Sequence, residues 1–266
     1  MTSKNQPASL KVLDLFSGCG GLSLGLHWAL GPNGERFETA AAVDIWKVAC
    51  DTYRLNLGLT PYNQPIDLEL VRHLIKNEGP FDIVVGGPPC QGFSTSGKRA
   101  LDDPRNQLIN VYLDAVQEVK PMAFVMENVL GFTTFQDGKL LEEVKARALN
   151  LGYYVRAGVV QASIVGVPQR RRRFMLVGSR VPGFFFPGET PETRQQTNPL
   201  GLDVELNFRD GEERWSFDDA TNDLPALAAG EVNETYLTPP RNELQEFLRT
   251  GSSLPTDHRA VGHRPG

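Results

Sequence analysis

Between Lys11 and Arg180, short apolar runs alternate with amphipathic stretches, the pattern of a sheet whose parallel strands are separated by covering helices. Apolar runs bounded by turn residues predict strands over 12–16, 40–43, 81–85 and 123–126, with a further short strand ahead of Asp67. Two more runs, 153–160 and 173–177, are separated by Gly166-Val167-Pro168 and predict an antiparallel pair. Helical periodicity falls over 22–30, 48–57, 68–76, 107–119 and 140–149, and no internal repeat is visible. The fold class expected is therefore α/β, a mostly parallel sheet with an antiparallel terminal hairpin. Beyond Arg180 the pattern dissolves, broken by Pro182, Pro187, Pro191 and Pro199. This divides the chain into a domain over 1–180 and an irregular appendage over 181–266, with short helices expected at 217–223 and 242–249.

Composition narrows the picture only a little. The 266 residues suffice for one large domain with an appendage, and 40% hydrophobic and 22% charged residues are ordinary for a globular chain. No apolar run is long enough to cross a membrane, and the polar N-terminus lacks the apolar stretch of a secretory signal. The expected location is cytoplasmic, or nuclear in a eukaryotic host. Cys19, Cys50 and Cys90 have no metal-knuckle spacing, so no structural metal is expected and one thiol is left free for chemistry. A net charge of −5 means that nucleic-acid contact must come from a local patch. Arg170 to Arg173 form one candidate and Lys98, Arg99 and Arg105 another, although Lys98 and Arg99 taken alone read more readily as a solvated face.

Candidate chemistry gathers at the ends of the expected strands. Asp14-Leu-Phe-Ser-Gly-Cys-Gly-Gly is a Gly-rich turn entering a helix, where backbone can approach a ligand and unpaired N–H groups face it. The third glycine of a dinucleotide fingerprint is replaced by Ser23, which disfavours NAD. The second strand ends at Asp44, where an acid accepts hydrogen bonds from ribose hydroxyls. Trp46 either covers an adenine face or packs in the core, and Asp67 either reaches an adenine amino group or caps the following helix.

A second group follows the strand over 81–85, in Gly86-Gly87-Pro88-Pro89-Cys90-Gln91-Gly92-Phe93-Ser94. Prolines stiffen this loop and glycines let it turn at the carboxyl edge of the sheet, where open α/β folds bind ligands. A cysteine there is placed as a reactive thiol rather than as a packed one. The next strand ends in Glu127-Asn128-Val129, so an acid stands near the thiol as a nucleophile and general-acid pair. In Pro168-Gln169-Arg170-Arg171-Arg172-Arg173, strand alternation would send Arg171 and Arg173 to one face and Arg170 and Arg172 to the other.

The Pro-Pro-Cys-Gln loop, the Glu-Asn-Val triplet and the Gln-x-Arg-x-Arg segment, in this order over Lys11 to about Arg180, resemble the DNA (cytosine-5) methyltransferase family. The resemblance implies a Rossmann-like, S-adenosylmethionine-dependent fold and methylation of cytosine C5 in DNA, with the base flipped out of the stack. It assigns Cys90, Glu127, Arg171 and Arg173 to catalysis. It assigns Phe16, Ser17, Gly18, Gly20, Gly21, Asp44, Trp46 and Asp67, with Pro88 and Leu108, to the cofactor S-adenosyl-L-methionine. Pro89, Gln91, Ser94 and Asn128 are assigned to substrate. Asp44 stands where glutamate is more usual and Arg172 where an acid is common.

The family continues into a target-recognition region and a closing segment, and neither is found here; 215–227 resembles only the approach to them. The expectation is a catalytic half of a DNA (cytosine-5-)-methyltransferase, truncated or completed by a second polypeptide, with or without a restriction partner. The alternatives are the same chemistry on transfer RNA, and a cofactor-binding remnant that does not methylate.

Overall fold

The computed structural model describes residues 9–89, 107–183, 214–250 and 260. The catalytic loop beyond Pro89, including Cys90, Gln91 and Ser94, lies outside the described residues, as do Lys98, Arg99 and Arg105. The described chain falls into two compact units, Met1–Val160 with Arg173–Asn207, and Gln161–Arg172 with Phe208–Gly266. The short segment 161–172 thus belongs with the later residues rather than with the first 180.

In the first unit the alternating pattern becomes β1 (Ser9–Leu15), α1 (Gly21–Trp28), β2 (Arg36–Val43), α2 (Lys47–Leu57), α3 (Leu68–Asn77) and β3 (Ile83–Gly86). Then come α4 (Gln107–Val119), β4 (Ala123–Asn128), α5 (Gly131–Thr134), α6 (Lys139–Asn150), β5 (Tyr154–Gln161) and β6 (Arg172–Ser179). The six strands lie in the order β2-β1-β3-β4-β6-β5. β2, β1, β3 and β4 are mutually parallel, and β6 runs antiparallel to β4. The mostly parallel sheet with a reversed strand toward its end is as the sequence pattern predicts. The extra strand expected ahead of Asp67 is not formed; only an isolated parallel bridge joins Val43 to Tyr62. A run reading Pro61-Tyr62-Asn63-Gln64-Pro65 has one apolar side chain to bury and a proline at each end, too little for a ladder.

Val12, Leu13 and Leu15 of β1 and Ile83, Val84 and Val85 of β3 are buried, because central parallel strands have both faces covered. One face packs on Leu70, Val71 and Leu74 of α3, Ile109, Tyr112, Leu113 and Val116 of α4, and Val144 and Ala148 of α6. Phe124 anchors this layer, with edge-on rings of Tyr112 and Tyr153 at 6.2 and 5.0 Å. From β1 the chain winds outward to β2 on one side and later to β3 and β4 on the other. The order therefore reverses between β1 and β3, the switch point at which open α/β sheets leave a crevice outside their carboxyl ends.

Among its described residues the second unit holds two short α-helices and a 3-10 turn over Ala162–Val165. α7 (Phe217–Thr221) starts with a capping box between Ser216 and Asp219, and α8 (Glu243–Leu248) is capped by Asn242. The buried Gln245 amide donates to Asp219 O and Asn222 Oδ1, both at 2.8 Å, which ties α8 to α7. Asp223, also buried, pairs with Arg249, whose guanidinium stacks on Tyr236.

Candidate active site

The chain returns to one edge of the sheet at each strand end, in the order Asp44 after β2, the Gly-rich turn after β1, the Gly87-Pro88-Pro89 loop after β3, and Glu127 in the last turn of β4. The two central loops flank the switch point, so the topology brings these described strand ends to one edge.

The Gly-rich turn is built against stereochemical preference. Phe16 has φ 55° and Gly18 φ 53°. A bulky residue in the left-handed region costs about 1–3 kcal/mol and is held only where its surroundings over-determine it. Gly20, with φ 93°, caps α1; a Cβ there would sit 2.6 Å from Leu57 Cδ1 and 2.8 Å from Tyr53 Cδ2. Only glycine fits both demands. Ser17 is buried, and Gly18 and Gly21 bring backbone to the surface.

Asp44 locks this turn to the end of β2. Its Oδ2 accepts from Gly18 N at 2.8 Å, and its Oδ1 accepts from Trp46 N at 2.7 Å. Each oxygen has a further lone pair, so the carboxylate remains able to accept from ribose hydroxyls while it joins the two loops. Trp46 is 66% exposed, which settles its alternative: it is not a core residue. Asp67 does cap α3, its Oδ1 accepting from Leu70 N at 2.8 Å, and the side chain is otherwise at the surface. Pro88 is buried, Pro89 and Leu108 are half-buried.

Two residues beneath the turn were not singled out by their chemistry. Asp14 is wholly buried in β1, and Ser23 Oγ donates to its Oδ2 at 2.5 Å. Thr39 Oγ1 in turn donates to Ser23 Oγ at 3.1 Å. Asp14 Oδ1 is buried without a hydrogen-bond partner among the described residues. Burial pushes the Asp14 carboxyl up to about 7; the Ser23 hydrogen bond opposes the rise and the negative charge of Asp44 adds to it. Ser23, read as a missing glycine, is thus the partner of a buried acid. The available signal was a carboxylate in the middle of an otherwise apolar strand.

At the other end of the crevice, Glu127 and Arg173 form an ion pair, Nε to Oε1 2.6 Å, with side chains 24% and 30% exposed for Arg173 and Glu127 respectively. The β4–β6 register pairs Glu127 with Met175, so Arg173 is the diagonal neighbour on the same face. Gly87 brings the loop against this pair: a Cβ there would lie 3.3 Å from Glu127 Oε2. Asn128, 3% exposed, points to the opposite face, donates to Pro88 O at 3.1 Å and accepts from Val129 N at 2.9 Å. Its amide is committed to holding the loop that leads to Cys90. Arg171 is exposed and precedes β6; its N–H donates to Gln169 O at 2.9 Å and its carbonyl accepts from Ala162 N at 2.8 Å. Those turn bonds stop strand alternation short of it, so the expected facing of Arg171 with Arg173 does not follow from the strand.

The arrangement joins a helix-entering glycine turn and an acid at one end of a crevice to a charge-paired acid beside a proline-stiffened loop at the other. Such a fold is an α/β sheet whose loops at the carboxyl edge frame a crevice at the switch point. The chain belongs to the C-5 cytosine-specific DNA methylase family, whose model matches residues 10–225. It is 44% identical over 265 residues to the Type II methyltransferase M.XorII of Xanthomonas oryzae, covering 95% of this chain and 61% of that protein. To M.AquIA of Picosynechococcus it is 38% identical over 207 residues, covering 72% and 81%. Among solved structures, a protein described as a prophage-encoded DNA modification methyltransferase of E. coli superposes with TM-score 0.62 at 27% identity, over 89% of this chain and 63% of that one. The Dnmt2 methyltransferase of S. pombe gives 0.53 at 27%, over 66% and 53%. The chain spans about three fifths of the length of M.XorII and of other curated relatives it matches.

Proposed function

We propose that this chain carries the catalytic chemistry of cytosine C5 methylation in DNA, with S-adenosyl-L-methionine as methyl donor. The observation that supports it best is the Glu127–Arg173 pair set against Gly87, at the mouth of the loop that continues to Cys90. C5 of cytosine is a poor nucleophile until a group adds at C6. The Cys90 thiolate adds there, and Glu127 protonates or hydrogen-bonds N3, so that the electron pair moves to C5 without charge building up on the ring. Arg173 holds the Glu127 carboxylate in place and faces the O2 side of the base, with Arg171 contributing from the preceding turn. The cofactor supplies a methyl group on a sulfonium for C5 to take. Loss of the C5 proton to water then expels Cys90 as thiolate, N3 returns its proton to Glu127, and the aromatic ring is restored.

At the other end, Asp44 accepts from the ribose, Trp46 covers the adenine, Asp67 meets its amino group, and Phe16 with the backbone of Ser17, Gly18, Gly20 and Gly21 walls the pocket. Pro88 and Leu108 line it. The fit to this donor rests on the lone pairs left on Asp44, the exposed indole and the strained turn between them. Pro89, Gln91 and Ser94 are assigned to the flipped base and its strand, while Asn128 serves it through the loop. A complementing polypeptide carrying a recognition region and closing segment is part of the same proposal. So does a cytoplasmic location; no helix among the described residues is long and apolar enough to cross a membrane.

The test is tritiated methyl transfer and covalent trapping on duplex DNA containing 5-fluorocytosine, with transfer RNA as a parallel substrate. Cys90→Ser is expected to abolish both transfer and trapping. A normal rate in that variant would end the proposal, and transfer to RNA in preference to DNA would move it to the alternative substrate.

A further inference from the structure

We propose that Asn63 is a positioning residue for the methyl donor, acting through the Asp44-Ile45-Trp46 turn; this rests on the reading of that turn as the cofactor's ribose and adenine platform. Every polar group of Asp44 is fixed. Its N–H donates to Tyr62 O at 3.2 Å, and its carboxylate is shared between Gly18 and Trp46. Its carbonyl accepts from Asn63 Nδ2 at 3.1 Å and from Cys50 Sγ at 3.5 Å. The same Asn63 amide donates to Ile45 O at 2.9 Å and contacts Cys50 Sγ at 3.7 Å. One side chain therefore ties down two successive carbonyls of the turn, from a segment 18 and 19 residues away in sequence.

Core stability does not account for this lock. Asn63 is exposed, and the side chains carried on the turn it fixes, Ile45 and Trp46, are 71% and 66% exposed. Backbone is held rigid beneath two large apolar groups that stand mostly in solvent. Rigidity there has value when a flat ligand lies on those groups, because the ordering cost is met before binding. The isolated bridge between Val43 and Tyr62 has the same logic: it delivers Asn63 to the turn without extending the sheet.

The discriminating variant is Asn63→Asp, which keeps the shape, removes both N–H donors and sets a carboxylate against two carbonyls. Calorimetric titration of the full chain with S-adenosylmethionine is expected to show a Kd raised about tenfold, a loss on the scale of one or two hydrogen bonds. In steady-state assays KM for the donor rises similarly while kcat at saturating donor stays within about twofold, and Tm moves by no more than about 2 °C. Asn63→Ser, which keeps one donor, is expected to fall between, and serves alone if the Asp variant does not fold. Equal donor affinity in wild type and either folded variant overturns the inference and leaves the cofactor reading standing. Absence of donor binding by wild type sinks the cofactor reading and this inference with it. A kcat loss without a change in KM also overturns it, since a turn that only positions the donor acts on binding.

Discussion

Asp14→Asn tests the buried acid beneath the Gly-rich turn. The folded protein holds the Asp14 proton up to about pH 7, whereas the unfolded chain releases it near the ordinary value of 3.8. Between those values folding must take up a proton, so the native state loses stability as pH rises through the window and levels off above it. At 1.36 kcal/mol per pH unit, the whole window corresponds to about 4 kcal/mol, undiscounted because the group is fully buried. The asparagine is isosteric and does not titrate. Its amide N–H at the position of the unpartnered Oδ1 costs about 1–3 kcal/mol, but that cost is independent of pH. The quantity to measure is thus the change in the difference between variant and wild type. Urea unfolding at pH 5, 6, 7 and 8.5 is expected to show the variant gaining on wild type by about 2–3 kcal/mol across this range. The gain should be spent by about pH 7 and flat beyond it. Parallel stability curves for the two proteins would refute the reasoning, since they would mean that Asp14 does not change its proton between pH 5 and 8.5.

Three other outcomes are expected. Glu127→Gln removes the charge paired with Arg173 while keeping its shape, and should lower kcat for methyl transfer by about 10²–10⁴-fold with donor affinity unchanged. Gly20→Ala places a Cβ against Leu57 and Tyr53 at φ 93° and should cost about 1–3 kcal/mol or more in urea unfolding. Asp67→Ala should lose about 1 kcal/mol with the cap of α3; Asp67→Ser should restore the stability without restoring donor affinity, which separates the cap from the adenine contact.

The main strands and helices were legible because each central parallel strand is a short apolar run, and each long helix shows one apolar face. The loops proposed to carry chemistry were legible for a related reason: glycine, proline, cysteine and charged residues stand where the apolar runs stop. What escaped was interaction across the chain. Ser23 looked like a failed glycine because its partner Asp14 lies nine residues back, on a strand whose facing cannot be read without its neighbours. Asn63 carried no signal of its own in the sequence, since its acceptors belong to a different strand end. Arg171 was placed by alternation that holds only inside a strand, and bonds to Gln169 and Ala162 keep it out of one. Asp67 caps α3 with one oxygen, and the cap leaves the other free for the adenine contact proposed for it.

The Glu127–Arg173 pair shows why the reversed strand is needed. In a parallel α/β sheet every strand begins at the edge away from the ligand crevice, so a residue at the start of a strand cannot reach one at the end of its neighbour. Glu127 lies near the carboxyl end of β4, and Arg173 is the second residue of β6. Because β6 runs antiparallel to β4, Asn128 is opposite Phe174, and the start of β6 is brought to the crevice edge. There the arginine lands diagonally beside the glutamate, on the same face. A parallel β6 would have carried it to the opposite edge, a full strand length away. Arg173 can therefore pair with Glu127 only because β6 runs against β4.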